Sequence, residues 1–238
     1  MKSKLLILSL FINFVSLVGL LFLIQKLGGP RYILFKMRHL GVAGVYEHKK
    51  SIQADLSIDS TDIVFMGNSI TAQGPWVEFF DQPRIKNRGI EGDVTQGILE
   101  RLAHMLKTPP AQLFLLIGIN DLIANDPAHV LKNYRRILEE LAEKAPQTQV
   151  IIQSIYPVND NLRKNGIDHQ DILDINTELE KMVAEFGMIY VDLHPLLANA
   201  QGKLNAEFSI DGIHLNSKGY AVVRKALEPY VNAPNTGQ

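Results

Sequence analysis

Cysteine is absent from the 238-residue sequence, which excludes disulfides, thiolate metal ligands and a cysteine nucleophile. The sequence also lacks an excess of either charge, because 24 Lys and Arg stand against 25 Asp and Glu and leave a formal net charge of -1. Without a basic surplus, nucleic acid is not an expected partner. The seven histidines show no His-x-x-x-His pairing, so we expect no metal site and no cofactor.

Hydrophobic residues make up 46% of the chain, which is enough for one substantial core and a small appendage. The appendage is predicted at the amino end, where residues 5–24 form an apolar run without a charged residue. A helix of this length spans about 30 Å, the thickness of the hydrocarbon core of a bilayer. We therefore expect an uncleaved N-terminal transmembrane helix, with a cleaved signal peptide or a buried helix as alternatives.

The cations around this run do not favour a cytoplasmic amino terminus. Lys2 and Lys4 precede the run, and four cations follow it: Lys26, Arg31, Lys36 and Arg38. Since the run looks like a signal-anchor, we expect the main domain on the extracytoplasmic side, in the periplasm or at the cell surface. The expected organisation is a membrane anchor at residues 1–27, a linker with a lead-in helix at 28–60 and the main domain at 61–238.

Short apolar runs alternate with longer amphipathic segments through the main domain. The apolar runs predict five strands, at residues 62–66, 84–87, 112–118, 149–155 and 188–193. The amphipathic segments predict four helices, at residues 94–107, 126–144, 170–186 and 217–232, with Asp126 and Asn216 as N-caps. This alternation predicts an α/β fold in which a five-stranded parallel sheet lies between helical layers.

Functional sites of open parallel sheets form beyond the carboxyl ends of the strands. Ser69 follows the first predicted strand, Gly89 the second and Asn120 the third. Before the last helix, the carboxylate of Asp211 can reach Nδ1 of His214 and leave Nε2 free to accept a proton from a serine. An Asn amide can donate to a developing oxyanion, and a glycine lets a backbone N–H approach a substrate closely.

Each of these motifs has an ordinary structural explanation when it is taken alone. Ser, Gly and Asn commonly end strands, and an Asp-x-x-His stretch can form a turn that starts a helix. Their joint occurrence, in order and on one sheet edge, is what indicates a site. The pattern is carried by four stretches: MGNSIT, NRGIEGD, GIND and DGIHLNSKGY.

These four stretches resemble the blocks of the SGNH hydrolases, also called GDSL-type esterases and lipases, in order and spacing over residues 62–220. The stretch around Trp76, together with QSIYPVN, is similar to the small bacterial acylesterase branch. That branch is similar to platelet-activating-factor acetylhydrolase subunits and to carbohydrate O-acetylesterases. The resemblance implies a flavodoxin-like three-layer fold and a serine esterase that hydrolyses short-chain acyl esters, above all acetate, through an acyl-enzyme.

The resemblance also implies a role for each matched residue. Ser69 would be the nucleophile, His214 the general base and then acid, and Asp211 the group that orients the imidazole. The oxyanion hole would comprise the backbone N–H groups of Ser69 and Gly89 and the side chain of Asn120.

Three further residues are expected to contact the substrate: Asn68, Trp76 and Ile119. Asn68 stands where the family usually has Asp, and we expect this to change local hydrogen bonding without changing the reaction class. Trp76, the only tryptophan, either borders an acyl or sugar pocket or packs under the first helix of the domain.

Several alternatives stay open at this point. An α/β-hydrolase would place its serine in Gly-x-Ser-x-Gly, and a dinucleotide-binding protein would need Gly-x-Gly-x-x-Gly, neither of which surrounds Ser69. His194 is an alternative base. The expected substrates are short acyl esters on a glycan or lipid. The alternative substrates are lysophospholipids or acyl thioesters with longer acyl chains. Outside enzymes, the alternative is a non-catalytic membrane-anchored glycan-binding module on the same fold.

Overall fold

The fold is that of a computed structural model, which describes residues 2–26, 40–123 and 127–231. Five strands form, and each overlaps one of the predicted runs, so all five predicted strands are confirmed. They are β1 Ile63–Gly67, β2 Ile85–Gly89, β3 Gln112–Leu116, β4 Gln149–Gln153 and β5 Ile189–Val191.

The strands form one parallel sheet in the order β2-β1-β3-β4-β5. Gly67 at the end of β1 pairs with Gly89 of β2 on one side and with Leu116 of β3 on the other. The carboxyl ends of these three strands therefore lie at the same edge. The chain passes from β1 outward to β2 and then returns past β1 to β3, which makes this edge the switch in strand order where sites are expected.

Helices occupy both faces of the sheet. The long helices of the main domain confirm the four predicted ones, and Asn216 Oδ1 accepts from the N–H groups of Lys218 and Gly219 as an N-cap does. The expected N-cap Asp126 lies outside the described residues. The helices are α1 Lys2–Lys26, α2 Leu40–Asp55, α3 Ser69–Gln73, α4 Trp76–Phe80, α5 Thr95–Met105, α6 Ile119–Leu122, α7 Pro127–Lys144, α8 His169–Glu185, α9 His194–Leu197 and α10 Ser217–Val231.

Two hydrophobic clusters, one on each face of the sheet, form the core. Alternate strand residues supply them, because successive side chains of a strand point to opposite faces. Val64 and Met66 of β1 pack in the cluster that contains α5, α7 and α8. Ile63 and Phe65 pack in the cluster that contains Trp76 and helices α9 and α10. The predicted three-layer α/β architecture is thereby confirmed.

The amino-terminal part of the chain differs from the expectation. Residues Lys2–Lys26 form α1, and its described apolar side chains, among them Phe11 and Phe22, are exposed. Among the residues that the structure describes, no helix qualifies as a membrane span. The predicted transmembrane helix at residues 5–24 is therefore not supported. Within the predicted linker, α2 is described, whereas residues 27–39 lie outside the described part of the chain.

The end of β2 approaches the backbone of α3 very closely. Asn87 Nδ2 donates to the carbonyl oxygens of Thr71 at 3.0 Å and of Ala72 and Gly74 at 3.2 Å. Two residues on, a Cβ at Gly89 would collide with the backbone N and Cα of Ala72. A glycine is therefore required at position 89 to let β2 and the helix that begins with Ser69 lie side by side.

Gly89→Ala is expected to lower the free energy of unfolding by roughly 1–3 kcal/mol, because the clash is with backbone and not with the end of a flexible side chain. Urea unfolding followed by circular dichroism measures it. Gly44→Ala on α2 is the matched control, since its Cβ would meet nothing within 4 Å and Ala is the better helix former. Equal midpoints for Gly89→Ala and the unmodified chain would contradict the packing role.

Candidate active site

Ser69, His214 and Asp211 form a continuous hydrogen-bonded chain. Ser69 is the first residue of α3, directly after the carboxyl end of β1, and its Oγ lies 2.9 Å from Nε2 of His214. Nδ1 of the same imidazole lies 3.0 Å from Oδ2 of Asp211. With the proton on Nδ1 donated to the carboxylate, Nε2 is left as an acceptor for the serine hydroxyl.

The loop that carries His214 is held by its own hydrogen bonds. Ser209 and Leu215 form an isolated antiparallel bridge, and the N–H of Ile210 donates to the carbonyl of His214 at 3.0 Å. Within the loop, Asp211 Oδ1 accepts from the N–H groups of Ile213 at 3.1 Å and His214 at 2.9 Å. The short turn therefore fixes both ends of the Asp-x-x-His stretch.

These donors determine the charge state of Asp211. Partial burial raises the pKa of its carboxyl, but the hydrogen bonds from the backbone and imidazole of His214 and from the N–H of Ile213 outweigh burial and lower the pKa to about 2. The group is therefore a carboxylate at neutral and mildly acidic pH. It can stabilise the imidazolium that forms when His214 accepts a proton.

Two supporting residues were not singled out from the sequence. Arg163 Nη1 lies 3.0 Å from Asp211 Oδ2, the same oxygen that faces the imidazole. Tyr220 of α10 donates its hydroxyl to the carbonyl of Ile70 at 2.6 Å, which ties the helix after the His214 loop to the helix of Ser69. Tyr220 ends the stretch DGIHLNSKGY, so its position in a matched block was the available signal, whereas Arg163 lies outside the blocks.

Asn120 and Gly89, the other expected members of the oxyanion hole, differ in whether their N–H donors are available. Asn120 lies on α6 just beyond β3, and one N–H of its side-chain amide donates to the carbonyl of Asp93 at 2.9 Å. The second N–H of the amide is left as a donor for a substrate oxygen. The N–H of Gly89 instead donates to Asn87 Oδ1 at 2.9 Å. The prediction that Gly89 supplies an oxyanion donor is therefore corrected, because that donor is already engaged within β2.

Gly92 is a better-placed glycine in the same loop. Its φ of 75° lies in the left-handed region that favours glycine, and it immediately precedes Asp93, whose carbonyl holds the Asn120 side chain. The two glycines of NRGIEGD are separated by the observed strand and not by the predicted one, because β2 continues to Gly89, whereas the predicted strand ends at residue 87.

A buried polar network supports this loop. Arg101 of α5 forms an ion pair with Asp93 at 2.5 Å, and Tyr46 of α2 donates to the same carboxylate at 3.1 Å. Next to Asn120, Asp121 accepts from the N–H of Thr95 at 3.0 Å, and burial raises the pKa of Asp121 to about 7. The loop that carries Gly92 is therefore held in place by the buried ion pair of Arg101 and Asp93.

The three residues expected to contact the substrate lie in the interior. Asn68 is 1% exposed, Trp76 2% and Ile119 5%, so the expectation that they face a substrate is not supported. Trp76 packs on Phe65 with ring centroids 4.6 Å apart, in agreement with the packing alternative. The alternative base His194 is also buried, and the imidazole that contacts Ser69 is that of His214. In the described ranges, no cluster of three or more side chains suited to a metal ion occurs.

A serine whose hydroxyl meets a histidine and then a carboxylate, at the carboxyl edge of a parallel sheet, is the arrangement of a serine hydrolase. Comparison with known proteins gives the family. Residues 65–222, more than half of the chain, match the model of the GDSL-like lipase/acylhydrolase family, and the chain belongs to that family. By class it is an ester hydrolase, as the resemblance predicted.

Individual relatives are distant in sequence. The chain is 23% identical over 179 residues to platelet-activating factor acetylhydrolase IB subunit alpha2 of Rattus norvegicus, covering 71% of this chain and 76% of that protein. It is 24% identical over 176 residues to N-acylneuraminate cytidylyltransferase of Escherichia coli, covering 72% of this chain but only 40% of the length of that relative. A solved structure from Streptococcus pneumonia, described as a candidate platelet activating factor, superposes with a TM-score of 0.76 at 26% identity, covering 84% of this chain and 99% of the other.

The low pKa of Asp211 makes a prediction about the pH dependence of hydrolysis. Its folded-state pKa of about 2 is below the ordinary 3.8, so the carboxylate stays charged as the pH falls to about 4 and takes up no proton in that range. The logarithm of kcat/KM, measured with a chromogenic acetate ester, is therefore expected to fall with a slope no steeper than one between neutral pH and pH 4. A slope approaching two, with the fold intact by circular dichroism, would show that a second group in the site titrates there.

Proposed function

We propose that the protein hydrolyses short-chain acyl esters, with O-acetyl groups on a glycan or lipid as the natural substrates, through a covalent acyl-enzyme on Ser69. The observation that carries this proposal is the 2.9 Å contact between Ser69 Oγ and His214 Nε2, with Asp211 bound to the other imidazole nitrogen. A serine hydroxyl is a weak nucleophile until a base at hydrogen-bond distance accepts its proton.

In the first half-reaction, Ser69 Oγ attacks the ester carbonyl while its proton passes to His214 Nε2. The imidazolium is stabilised by the adjacent Asp211 carboxylate and then donates the proton to the departing alcohol. In the second half-reaction, His214 takes a proton from water, the resulting hydroxide attacks the acyl-enzyme, and the carboxylic acid leaves as Ser69 regains its proton.

Both tetrahedral intermediates carry a negative oxygen that needs hydrogen-bond donors. We assign three donors to it: the N–H of Ser69, the N–H of Gly92 and the free N–H of the Asn120 amide. Ser69 begins α3, and the first N–H groups of a helix have no partner within the helix. Gly92 replaces Gly89 in the assignment because its loop lies against Asn120 and the Gly89 N–H is engaged by Asn87.

The acetyl preference rests on the relatives. The rat protein that aligns with 71% of this chain is an acetylhydrolase. Longer acyl chains, as in lysophospholipids or acyl thioesters, use the same chemistry at Ser69, so a comparison of substrates separates these alternatives. A glycan-binding module without activity would not need the Ser69, His214 and Asp211 chain, which the fold keeps intact.

Ser69→Ala is expected to reduce hydrolysis of a chromogenic acetate ester by about a thousandfold or more, and His214→Ala by a similar factor, because the members of the chain act as a unit. Ser60→Ala, an exposed serine just before β1, is the matched control and should keep full activity. Assaying the purified full chain against acetate, butyrate, decanoate and thioacetate esters tests the acyl preference. A fully active Ser69→Ala variant would overturn the mechanism, and a preference for decanoate would overturn the short-chain assignment alone.

The oxyanion assignment has its own test. Asn120→Ala is expected to lower kcat by a hundredfold to a thousandfold with little change in KM, because the lost donor acts on the transition state. A crystal structure of the enzyme inactivated by an alkyl phosphonate, which places an anionic oxygen on phosphorus bound to Ser69, locates the donors directly. We expect that oxygen within about 3.1 Å of the Gly92 N–H. If it lay against the Gly89 N–H, with Asn87 displaced, the assignment to Gly92 would be wrong.

We also propose that the catalytic domain lies on the extracytoplasmic side of the membrane. An extracytoplasmic position would bring the catalytic domain to acetylated glycans or lipids of the cell envelope. Fractionation of cells that express the full chain, followed by protease treatment of intact cells, tests it. Protection of the domain in intact cells and spheroplasts would place it on the cytoplasmic side and remove envelope esters as substrates.

A further inference from the structure

A cavity of about 460 Å³ lies on the opposite side of β2 from the packing between β2 and α3. We call it the α2–α5 cavity, because α2 and α5 supply most of its lining and Met66 and Arg88 of the sheet supply its floor. Ser69, Asn120 and His214 do not line it. Its volume is in the range of pockets that hold small molecules.

Arg88 is the unusual residue of this cavity. It is 8% exposed, and with the described residues its guanidinium makes two long contacts, Nη1 to the carbonyl of Asn87 at 3.4 Å and Nη2 to that of Ser57 at 3.5 Å. Its Nε is buried with no hydrogen-bond partner among the described residues. A guanidinium has five N–H donors, so most of its donor capacity is unused in a place where unmet polar groups are costly.

The charge of Arg88 is also poorly compensated. Burial lowers the pKa of Arg88, the charge of Asp62 raises it, and the neighbouring Arg101 lowers it further. Asp62 is shared with Lys86, at 3.5 Å, and Arg101 already has Asp93 as its carboxylate. Among the described residues, the guanidinium of Arg88 thus forms no ion pair with a carboxylate.

Apart from the buried Arg101, the other charged groups of the lining lie nearer the solvent. Glu100 is ion-paired with Lys50 at 2.7 Å, and the remaining acidic residues, Glu47 and Asp55, are exposed. His104 and Lys107 lie on the exposed side of α5 and the turn after it, and both line the cavity. An anion that entered would therefore pass carboxylates as well as Lys50 and Lys107, and would meet the guanidinium of Arg88 at the floor.

We propose that the α2–α5 cavity is a binding site for a small molecule with a carboxylate or phosphate group, which the guanidinium of Arg88 holds through two parallel hydrogen bonds. A planar guanidinium matches the geometry of such oxyanions, and a charge-assisted pair of this kind is strong when it is shielded from water. The site is separate from the ester site and does not depend on the chemistry at Ser69.

The position of Arg88 links the two sites. Its carbonyl accepts from Arg101 Nη1 at 2.8 Å, and the next residue along the chain, Gly89, opens the loop that leads to Gly92. Gln53 of α2 donates to the Gly89 carbonyl at 3.4 Å and accepts from Arg101 at 2.8 Å. A ligand on Arg88 would stabilise the strand end and the helix that support the oxyanion loop.

Thermal unfolding of the full chain in increasing inorganic phosphate, glycerol 3-phosphate, citrate or acetate tests this proposal, with sodium chloride at matched ionic strength as the reference. We expect at least one oxyanion to give a saturable rise in Tm, of roughly 5–10 °C at a concentration about a hundredfold above its Kd. Phosphate and glycerol 3-phosphate identify a phosphate site, and citrate or acetate alone identifies a carboxylate site.

Arg88→Met is expected to abolish this rise. The variant should fold, because replacing a buried cation that lacks a partner by an apolar side chain of similar length is neutral or stabilising. Arg135→Met, which removes an exposed arginine paired with Glu185 on the other side of α5, is the control and should keep the full response. Ser69→Ala should also keep it, so failure of the proposed esterase mechanism would not affect the result. An equal rise in chloride, or an undiminished rise in Arg88→Met, would overturn the proposal.

Discussion

The hydrogen bond between Ser69 Oγ and His214 Nε2 is the contact on which the arrangement of the structure depends, because it joins side chains 145 positions apart in the chain. Ser69 is fixed by the end of a central, fully buried strand, and His214 by a loop closed on itself through Ser209 and Leu215. The hydroxyl of Tyr220 then ties the helix after the loop to the helix of the serine. The hydrophobic cluster under α10 therefore contributes directly to the distance that proton transfer requires.

A second set of interactions fixes the loop that faces the serine. The ion pair of Asp93 with Arg101 is buried, and a buried ion pair stabilises a protein only when its remaining donors and acceptors are also satisfied. Here Tyr46 of α2 donates a hydrogen bond to the Asp93 carboxylate, and Lys49 of the same helix pairs with Glu91 in the loop at 2.6 Å. Helix α2, which corresponds to the lead-in helix expected within residues 28–60, therefore packs against the loop that carries Gly92.

The sequence predicts the features that follow from periodic or local signals. Apolar runs reveal the five strands, and the rule for parallel sheets then places Ser69, Asn120 and His214 at one edge. The two glycines of NRGIEGD look alike in the sequence, and the structure separates them, because the Gly89 N–H donates to Asn87 whereas Gly92 has a positive φ beyond the end of β2. Trp76 packs against Phe65 and Phe79, which are near it in the chain, and against Tyr220, which is distant in sequence. The contacts of α2 and the unmet donors of Arg88 depend on single polar side chains. Single side chains produce no periodic pattern in a sequence, so these features could not be predicted from it.

Asn68, where the family usually has Asp, shows how far such a departure can go without altering the geometry. Its Oδ1 accepts from the N–H of Ile70 at 3.0 Å and caps the helix that begins with Ser69, a task that Asn and Asp perform equally. Its Nδ2 is buried without a hydrogen-bond partner in the described part of the chain, a cost of about 1–3 kcal/mol that a carboxylate would not incur. A carboxylate at a position 1% exposed would instead carry the cost of a buried charge. Asn therefore carries the cost of an unmet donor, where Asp would carry the cost of a buried charge. With Asn, the residue before the nucleophile is neutral. We therefore expect the substitution to change the electrostatics around Ser69 and not the direction of the Ser69 hydroxyl.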